Sequence, residues 1–159
     1  MTMELALPKY TEIPGVGLFL EQVAKYINEV LSPLGEAELT GSMISNYVKK
    51  KLLDNPVKKQ YSRDQIAYLI FIAIAKNVLS LEDIRTMIVL QKEKCDAKTA
   101  YEYFSTEFAS ILHAVFDNQN VAVQPSLSAS RQLAQKVSIA VAYKVYLDQT
   151  FREMKETAG

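Results

Sequence analysis

The sequence is poor in the residue types that most often bind metals, form cross-links or make tight turns. Its 159 residues include one cysteine, one histidine, five glycines and five prolines. A single cysteine excludes an intrachain disulfide and a cysteine-rich zinc site, and a single histidine excludes a histidine-clustered metal site. The few glycines and prolines leave little material for turns, which favours a helical protein. We therefore expect neither a metal nor a cofactor.

Long apolar runs and export signals are also missing. The longest apolar run, residues 66–75, has ten residues, whereas a membrane span needs about twenty. This run predicts a buried central helix. Residues 1–10 lack a basic segment followed by an apolar core, so we expect no signal peptide. Without an export signal or a disulfide, the expected compartment is the cytoplasm.

The remaining composition is that of an ordinary globular chain, with 49% apolar and 23% charged residues. Apolar residues recur at helical spacing along most of it. Capping residues support several of these helices: Thr40, the Ser62–Gln65 and Ser80–Asp83 pairs, and Asp96. The sequence thus predicts an all-α fold with helices over about 16–31, 40–51, 62–77, 81–90, 97–117 and 128–155. Residues 57–61 are expected to form either a tight hairpin or an irregular loop.

Positive charge is concentrated in one segment, although the whole chain is neutral. Residues 40–76 hold seven basic and two acidic groups, a net charge of +5, whereas residues 1–39 carry −4. A helix-turn-helix needs cations that neutralise phosphates and short polar side chains that reach base edges. The charge alone fits equally well with lysines that solubilise a helix end and stabilise its dipole.

Two stretches resemble regulators of the MerR type. Residues 44–53 (ISNYVKKKLL) resemble the MerR recognition helix, I-R-Y-Y-E-R-x-G-L-L, and residues 59–69 (KQYSRDQIAYL) resemble the wing and the helix after it. Residues 71–72 and 81–85 continue this similarity. The resemblance implies a MerR-like winged helix-turn-helix with a very short wing, followed by a C-terminal helical part.

The chain as a whole resembles a bacterial family known as domain of unknown function 1836. The similarity rests on an N-terminal arm with Leu7-Pro8 and Ile13-Pro14, a helix like residues 20–27, and the pattern T-x-x-M-I-x-N-Y-V-K at residues 40–49. That family is associated with a MerR-like winged helix and presumed regulation. The implied organisation is an extended arm (1–15), a winged-helix DNA-binding region (16–90) and a helical dimerisation or sensing region (96–156).

Some positions depart from the MerR pattern. Ser45 and Asn46 replace its arginine and first tyrosine, and Lys51 replaces the glycine before Leu-Leu. The preferred DNA site and the effector are therefore not carried over. On the resemblance and the charge together, we expect a DNA interface in which four side chains approach bases or the helix start and five cations contact phosphates: Thr40, Ser42, Ser45, Asn46, Lys49, Lys50, Lys58, Lys59 and Arg63.

Enzymatic chemistry finds little support. Base-activated catalysis by serine or cysteine usually needs a positioned histidine, and His113 is expected to be a surface or interface residue of the fifth helix. Cys95 is expected to be inert, with redox sensing as a less favoured alternative. The aromatic residues Tyr101, Phe104 and Phe108 are expected in the core in preference to a ligand cage.

Two functions of different classes remain. The first is a DNA-binding transcriptional regulator that binds double-stranded DNA as a homodimer, because a single winged helix reads only a short site. Its dimer contact would use the last helix, which carries Val137, Val141 and Val145 on one side and Ile139, Tyr143 and Tyr146 on another. The second is a helical protein–protein interaction module without DNA binding.

Overall fold

A computed structural model describes residues 3–35 and 38–158, and six α-helices dominate these ranges. The predicted all-α class is confirmed. None of the described helices combines the length and apolar character that crossing a bilayer requires. In chain order the helices are α1 (Leu20–Leu31), α2 (Gly41–Lys49), α3 (Arg63–Ala75), α4 (Leu81–Lys92), α5 (Ala97–Phe116) and α6 (Ala129–Ala158).

The apolar run predicted as a central helix is α3. Eight of its thirteen residues are buried, from Ile66 to Ala75, and it packs against α1, α5 and α6. A helix that is apolar on all sides must be covered on all sides. Its position explains why the sequence segments on either side of it share one core, which extends from Met3 to Val145.

The most extensive contact between two helices joins α5 and α6. Tyr101, Phe104 and Phe108 are buried on α5, so the expectation of a core role for this aromatic stripe is confirmed. The Phe104 ring meets Phe71 of α3 edge to face, with 5.0 Å between centroids, and stacks on Phe108 at 5.7 Å. Such pairs add to the stabilisation that burial alone provides.

The helix starts follow the predicted capping residues. Thr40, Ser62, Ser80 and Asp96 each accept a hydrogen bond from the backbone N–H three residues later. At α3 the pair is reciprocal, because Gln65 Oε1 accepts from the Ser62 N–H at 2.8 Å. These contacts satisfy N–H groups that have no partner inside their own helix.

The first helix begins at Leu20 instead of Val16. Leu18 and Tyr61 exchange backbone hydrogen bonds of 3.1 and 2.8 Å, which holds Leu18 in extended backbone. Gly17 before it has a φ of 83°, a conformation outside the helix region. A long-range pairing therefore overrides the local helical pattern of residues 16–19.

At the position of the predicted wing, the described chain forms only a hairpin with two residues at its tip. Residues 53–61 form no strand, and their only pairing among the described residues, apart from the Leu18 bridge, is the antiparallel bridge of Val57 with Gln60. Of the two expectations for residues 57–61, the structure therefore shows the tight hairpin. Gln65 Nε2 donates to the carbonyls of Asp54 and Asn55 at 2.9 and 3.1 Å, so the start of α3 holds the base of this loop.

Candidate nucleic-acid interface

The exposed face of α2 carries the short polar side chains that were expected to read bases. Ile44 and Tyr47 of this helix are buried, whereas Ser42, Ser45 and Lys49 are exposed and Asn46 is half-buried. Within the described chain, the side chains of Ser42, Ser45 and Asn46 form no hydrogen bond. Because Ser45 and Asn46 lie three and four positions after Ser42, all three share one side of the helix. Their donors and acceptors are thus available to a ligand.

The start of α2 is held by Thr40. Its Oγ1 accepts from the Met43 N–H at 3.2 Å, which is the capping role. A hydroxyl keeps one donor while it accepts, so Thr40 can still donate to an anion. Gly41 follows in a crowded position, since a Cβ there would lie 2.5 Å from Glu21 Oε1.

The end of α2 is a Schellman motif made with a lysine. The Lys51 N–H donates to the Val48 carbonyl at 3.1 Å, and the Leu52 N–H donates to the Tyr47 carbonyl at 2.9 Å. Lys51 has a φ of 67°, at the position where this motif usually has glycine. This position is also the one where the MerR pattern has its glycine.

The hairpin after α2 presents two further lysines in left-handed backbone. Lys58 and Lys59 have φ values of 52° and 65°, and Val57 and Gln60 flank them with mutual hydrogen bonds of 3.1 and 2.9 Å. Positive φ at both central residues is the requirement of a type I′ turn, which favours asparagine and glycine. Two lysines therefore occupy the tip of a turn at a conformational cost.

The candidate cations on α2 and the hairpin have no acidic partner in the described chain. Lys49, Lys50, Lys58 and Lys59 are exposed, and no described carboxylate lies within 4.0 Å of their ammonium groups. The acidic residue of the intervening loop, Asp54, pairs with Lys92 at 3.8 Å instead. Unpaired ammonium groups gain the most from an external anion, because no internal contact is lost.

Arg63 has a different environment from the four lysines. Its Nε donates to the Ile13 carbonyl at 2.9 Å, and its guanidinium lies 5.5 Å from the centroid of the Tyr10 ring. A Cβ at Gly15 would come within 2.6 Å of Arg63 Nη2, so a larger residue at this position would displace the end of the Arg63 side chain. Arg63 thus holds the N-terminal arm against α3, and any phosphate contact would use its terminal nitrogens.

The structure separates one cation of the basic segment from the others. Lys76 follows the last residue of α3, at the opposite end of that helix from Arg63. It is half-buried, and burial lowers its pKa. The positive segment of the sequence is thus not one continuous surface.

Two roles were not predicted from the sequence: the positive φ of Lys51 at the end of α2, and the support that Gln65 gives to the loop. The signal for Lys51 was present in the glycine of the MerR pattern at the same position. The second role of Gln65 had no local signal, because its partners lie ten and eleven residues away.

The described part of the chain was also expected to hold no metal site and no reactive histidine or cysteine. Among those residues, no group of three or more histidine, cysteine or acidic side chains could hold a metal ion. His113 is exposed on α5. Cys95 is half-buried, and its carbonyl accepts from Gln91 Nε2 at 2.8 Å.

Comparisons with known proteins give one match. No curated protein and no solved structure is similar to this chain. The model of a protein family does match residues 8–104, a stretch that covers the second half of the arm, α1 to α4 and the first part of α5. Because this stretch is more than half of the chain, the protein belongs to the family described as domain of unknown function, DUF1836.

Proposed function

We propose that this protein is a cytoplasmic DNA-binding transcriptional regulator with a MerR-like winged helix-turn-helix. In this proposal α2 enters the major groove of double-stranded DNA, and the hairpin at residues 57–60 acts as a very short wing. The observation that carries the proposal is the pair of lysines at the hairpin tip. Lys58 and Lys59 adopt a backbone that costs about 1 kcal/mol or more each for residues with a Cβ, and a phosphate contact is a reason to keep lysine there.

The unpaired lysines around α2 supply the electrostatic part of the proposal. Each ammonium group that neutralises a phosphate releases a counterion, which makes affinity fall as salt rises. Lys49 and Lys50 lie at the end of α2, and Lys58 and Lys59 follow on the hairpin. Both groups of cations would contact phosphates beside the groove and so position α2 in it.

Asn46 is the residue proposed to read a base. The asparagine amide can donate to and accept from adenine in a bidentate contact, and the Asn46 amide is not occupied by the rest of the described chain. Ser42 and Ser45 on the same face can bond bases or phosphates. Asn46→Ala should cost about 1–3 kcal/mol on the preferred sequence and nothing on unrelated DNA.

The test is the salt dependence of DNA binding. The Lys49→Ala and Lys50→Ala double variant should weaken binding on every sequence, and the slope of log K against log salt should decrease by about two units. The matched control is Lys136→Ala with Lys155→Ala, because both residues are exposed on α6 and lack an ion pair within the described chain. The control should keep the wild-type slope. An unchanged slope in the first variant would show that the interface lies elsewhere.

We further propose a homodimer formed through α6. Val137, Val141 and Val145 are buried within one chain, so the face available to a second copy is a different one. Tyr143, Leu147, Phe151 and Met154 are exposed at spacings of four, four and three residues, which places them in one stripe. An isologous two-fold contact through this stripe would pair two DNA-reading heads.

The same stripe supports the alternative function, a helical protein–protein interaction module without DNA binding. An exposed apolar stripe on a helix fits a hydrophobic groove of another protein. A DNA-binding measurement on the wild-type protein at low salt decides between the two functions. If it has no affinity for any DNA at low salt, the interaction module replaces the regulator.

A further inference from the structure

A cavity of about 310 Å³ lies between α3, α4, α5 and the start of α6. Its wall is mainly apolar and aromatic, with Tyr68 and Phe71 from α3, Met87 from α4, and Phe104 from α5. Binding sites for small molecules span roughly 300–1,000 Å³ and have this kind of lining. The cavity is therefore large enough for a compact organic molecule.

α4 covers this cavity only in part. Only Ile84 and Ile88 of its twelve residues are buried, so α4 does not close completely over α5 and α6. Three large side chains on different helices remain exposed at the cavity as a consequence. Leu90, Tyr103 and Leu133 are exposed by 41%, 49% and 41%. Clustered exposed apolar surface of this kind marks a binding site more often than a solvated face.

Most polar groups at the cavity already have partners. The Tyr68 hydroxyl donates to Gln91 Oε1 at 2.7 Å, and the Tyr101 hydroxyl donates to the Pro8 carbonyl at 2.5 Å. These bonds leave the aromatic rings to face the cavity while their hydroxyl groups are satisfied elsewhere. The wall thus presents little that would select a polar molecule.

Lys94 and Tyr103 also line the cavity without a hydrogen-bond partner in the described chain, but both are exposed to solvent. Arg131 is the lining residue with a buried donor that has no partner. Its guanidinium lies 4.0 Å from the centroid of the Tyr103 ring and forms an ion pair with Glu107. Its Nε is buried and has no hydrogen-bond partner. A buried donor without a partner costs about 1–3 kcal/mol, so an acceptor brought by a ligand would recover that energy.

We propose that this cavity binds an uncharged, mainly aromatic small molecule with one hydrogen-bond acceptor, which accepts a hydrogen bond from Arg131 Nε. Glu107 already neutralises Arg131, so this part of the wall carries no net charge that would select an ion. The remaining cation at the cavity, Lys94, is exposed to solvent. Part of the wall, including Arg131 and Leu133, lies beyond residues 8–104 that match the family model. The site is independent of DNA binding, so either proposal can fail without the other.

The test uses the neutral fluorophore 6-propionyl-2-dimethylaminonaphthalene, which has a flat aromatic body and one ketone oxygen. Binding to the wild type should shift its emission to the blue and saturate at one site per chain. Ala134→Phe, which fills the cavity, should weaken binding by about tenfold or more. Leu133→Ser should weaken it as well. The matched controls are Ala140→Phe and Val89→Ser, because both residues are exposed and neither lines the cavity. The exposure of Val89, 50%, is similar to that of Leu133.

The role of Arg131 is tested by a second ligand, 6-propyl-2-dimethylaminonaphthalene, in which a methylene group replaces the ketone and the rest of the molecule is unchanged. The wild type should bind it up to about tenfold more weakly, the value of one hydrogen bond. Arg131→Lys keeps a cation for Glu107 and should reduce this difference to near one. No binding to the folded wild type, or equal losses in the cavity variants and their controls, would overturn the site. A wild type that does not distinguish the two ligands would overturn the assignment of the acceptor to Arg131.

Discussion

The hydroxyl of Tyr10 donates a hydrogen bond of 2.5 Å to Oδ1 of Asp64, which joins the N-terminal arm to the first turn of α3. Arg63, the preceding residue, binds the Ile13 carbonyl of the same arm. The ring of Tyr10 also lies 6.5 Å from the ring of Tyr101 on α5. The arm was predicted to be extended, but its residues Tyr10–Glu12 form a short 3-10 helix. Tyr10 fixes this part of the arm to the core through Asp64 and Tyr101, and Arg63 fixes Ile13.

This hydrogen bond predicts how stability depends on alkaline pH. The bond to Asp64, with a smaller effect of burial, raises the pKa of Tyr10 from 10.0 to about 12. The folded state therefore holds the phenol proton more tightly than the unfolded state does. Its stabilising contribution is complete below pH 10 and is lost as pH rises towards 12.

The variant Tyr10→Phe removes that contribution at all pH values. It should cost about 1 kcal/mol near neutrality, and the difference from wild type should shrink between pH 10 and 12. Urea unfolding at a series of pH values measures it. Tyr143→Phe is the control, because Tyr143 is exposed on α6. A difference that stays constant up to pH 12 would show that the Tyr10 proton is not held by Asp64.

The left-handed lysine at the end of α2 predicts a stabilising substitution. Lys51→Gly should raise the free energy of unfolding by about 1 kcal/mol, because glycine adopts positive φ without a steric penalty. Lys51→Ala removes the same charge but keeps a Cβ, so it should not stabilise. Asn118 is in the equivalent position after α5, with a φ of 57°, and Asn118→Gly should gain only a few tenths of a kcal/mol because asparagine tolerates this backbone. Equal effects of Lys51→Gly and Lys51→Ala would contradict the argument.

The helices could be predicted from the sequence because their signals are local. Ser62, Ser80 and Asp96 cap the helices that they precede, and each contact spans three residues. The start of α1 was predicted too early, because the pairing of Leu18 with Tyr61 is not visible in a local pattern. Nothing near Arg63 in the sequence indicates that its side chain holds the arm.

The candidate interface also combines features that could be predicted from the sequence with features that could not. The exposure of Ser42, Ser45 and Lys49 follows from the helical period of α2, so the sequence predicted it. The two positive φ values at the hairpin tip could not be predicted, because two lysines are an unusual choice for such a turn. Departures of this kind from local preference are expected at functional positions.

Substitution by glutamate is expected to have different effects at two positions of α6, Val141 and Leu147. Val141 is fully buried within one chain, so Val141→Glu should place an unpaired charge in the core and reduce stability by about 4 kcal/mol or more. Leu147 is exposed on the proposed dimer stripe, so Leu147→Glu should leave the fold intact and reduce the mass from two chains to one. Circular dichroism and light scattering at micromolar concentration measure the two effects. A wild-type mass of one chain at this concentration would exclude the dimer.

The hairpin lysines predict that stability and DNA affinity change in opposite directions. Lys58→Asn with Lys59→Gly installs the residues that a type I′ turn prefers and removes two cations. The free energy of unfolding of this variant should be higher than that of the wild type by about 1–2 kcal/mol. Its affinity for DNA should nevertheless fall, and the slope of log K against log salt should decrease by about two units.

The control for this variant is Lys58→Arg with Lys59→Arg. Arginine keeps both charges and the same backbone strain, so neither stability nor the salt slope should change much. Thermal unfolding and DNA titration at several salt concentrations give the two quantities for all three proteins. If the Asn-Gly variant gains stability and retains full DNA affinity, the lysines do not contact phosphate, because a phosphate-binding pair cannot be removed without a loss of counterion release. In that case the strained lysines would no longer support the proposed wing.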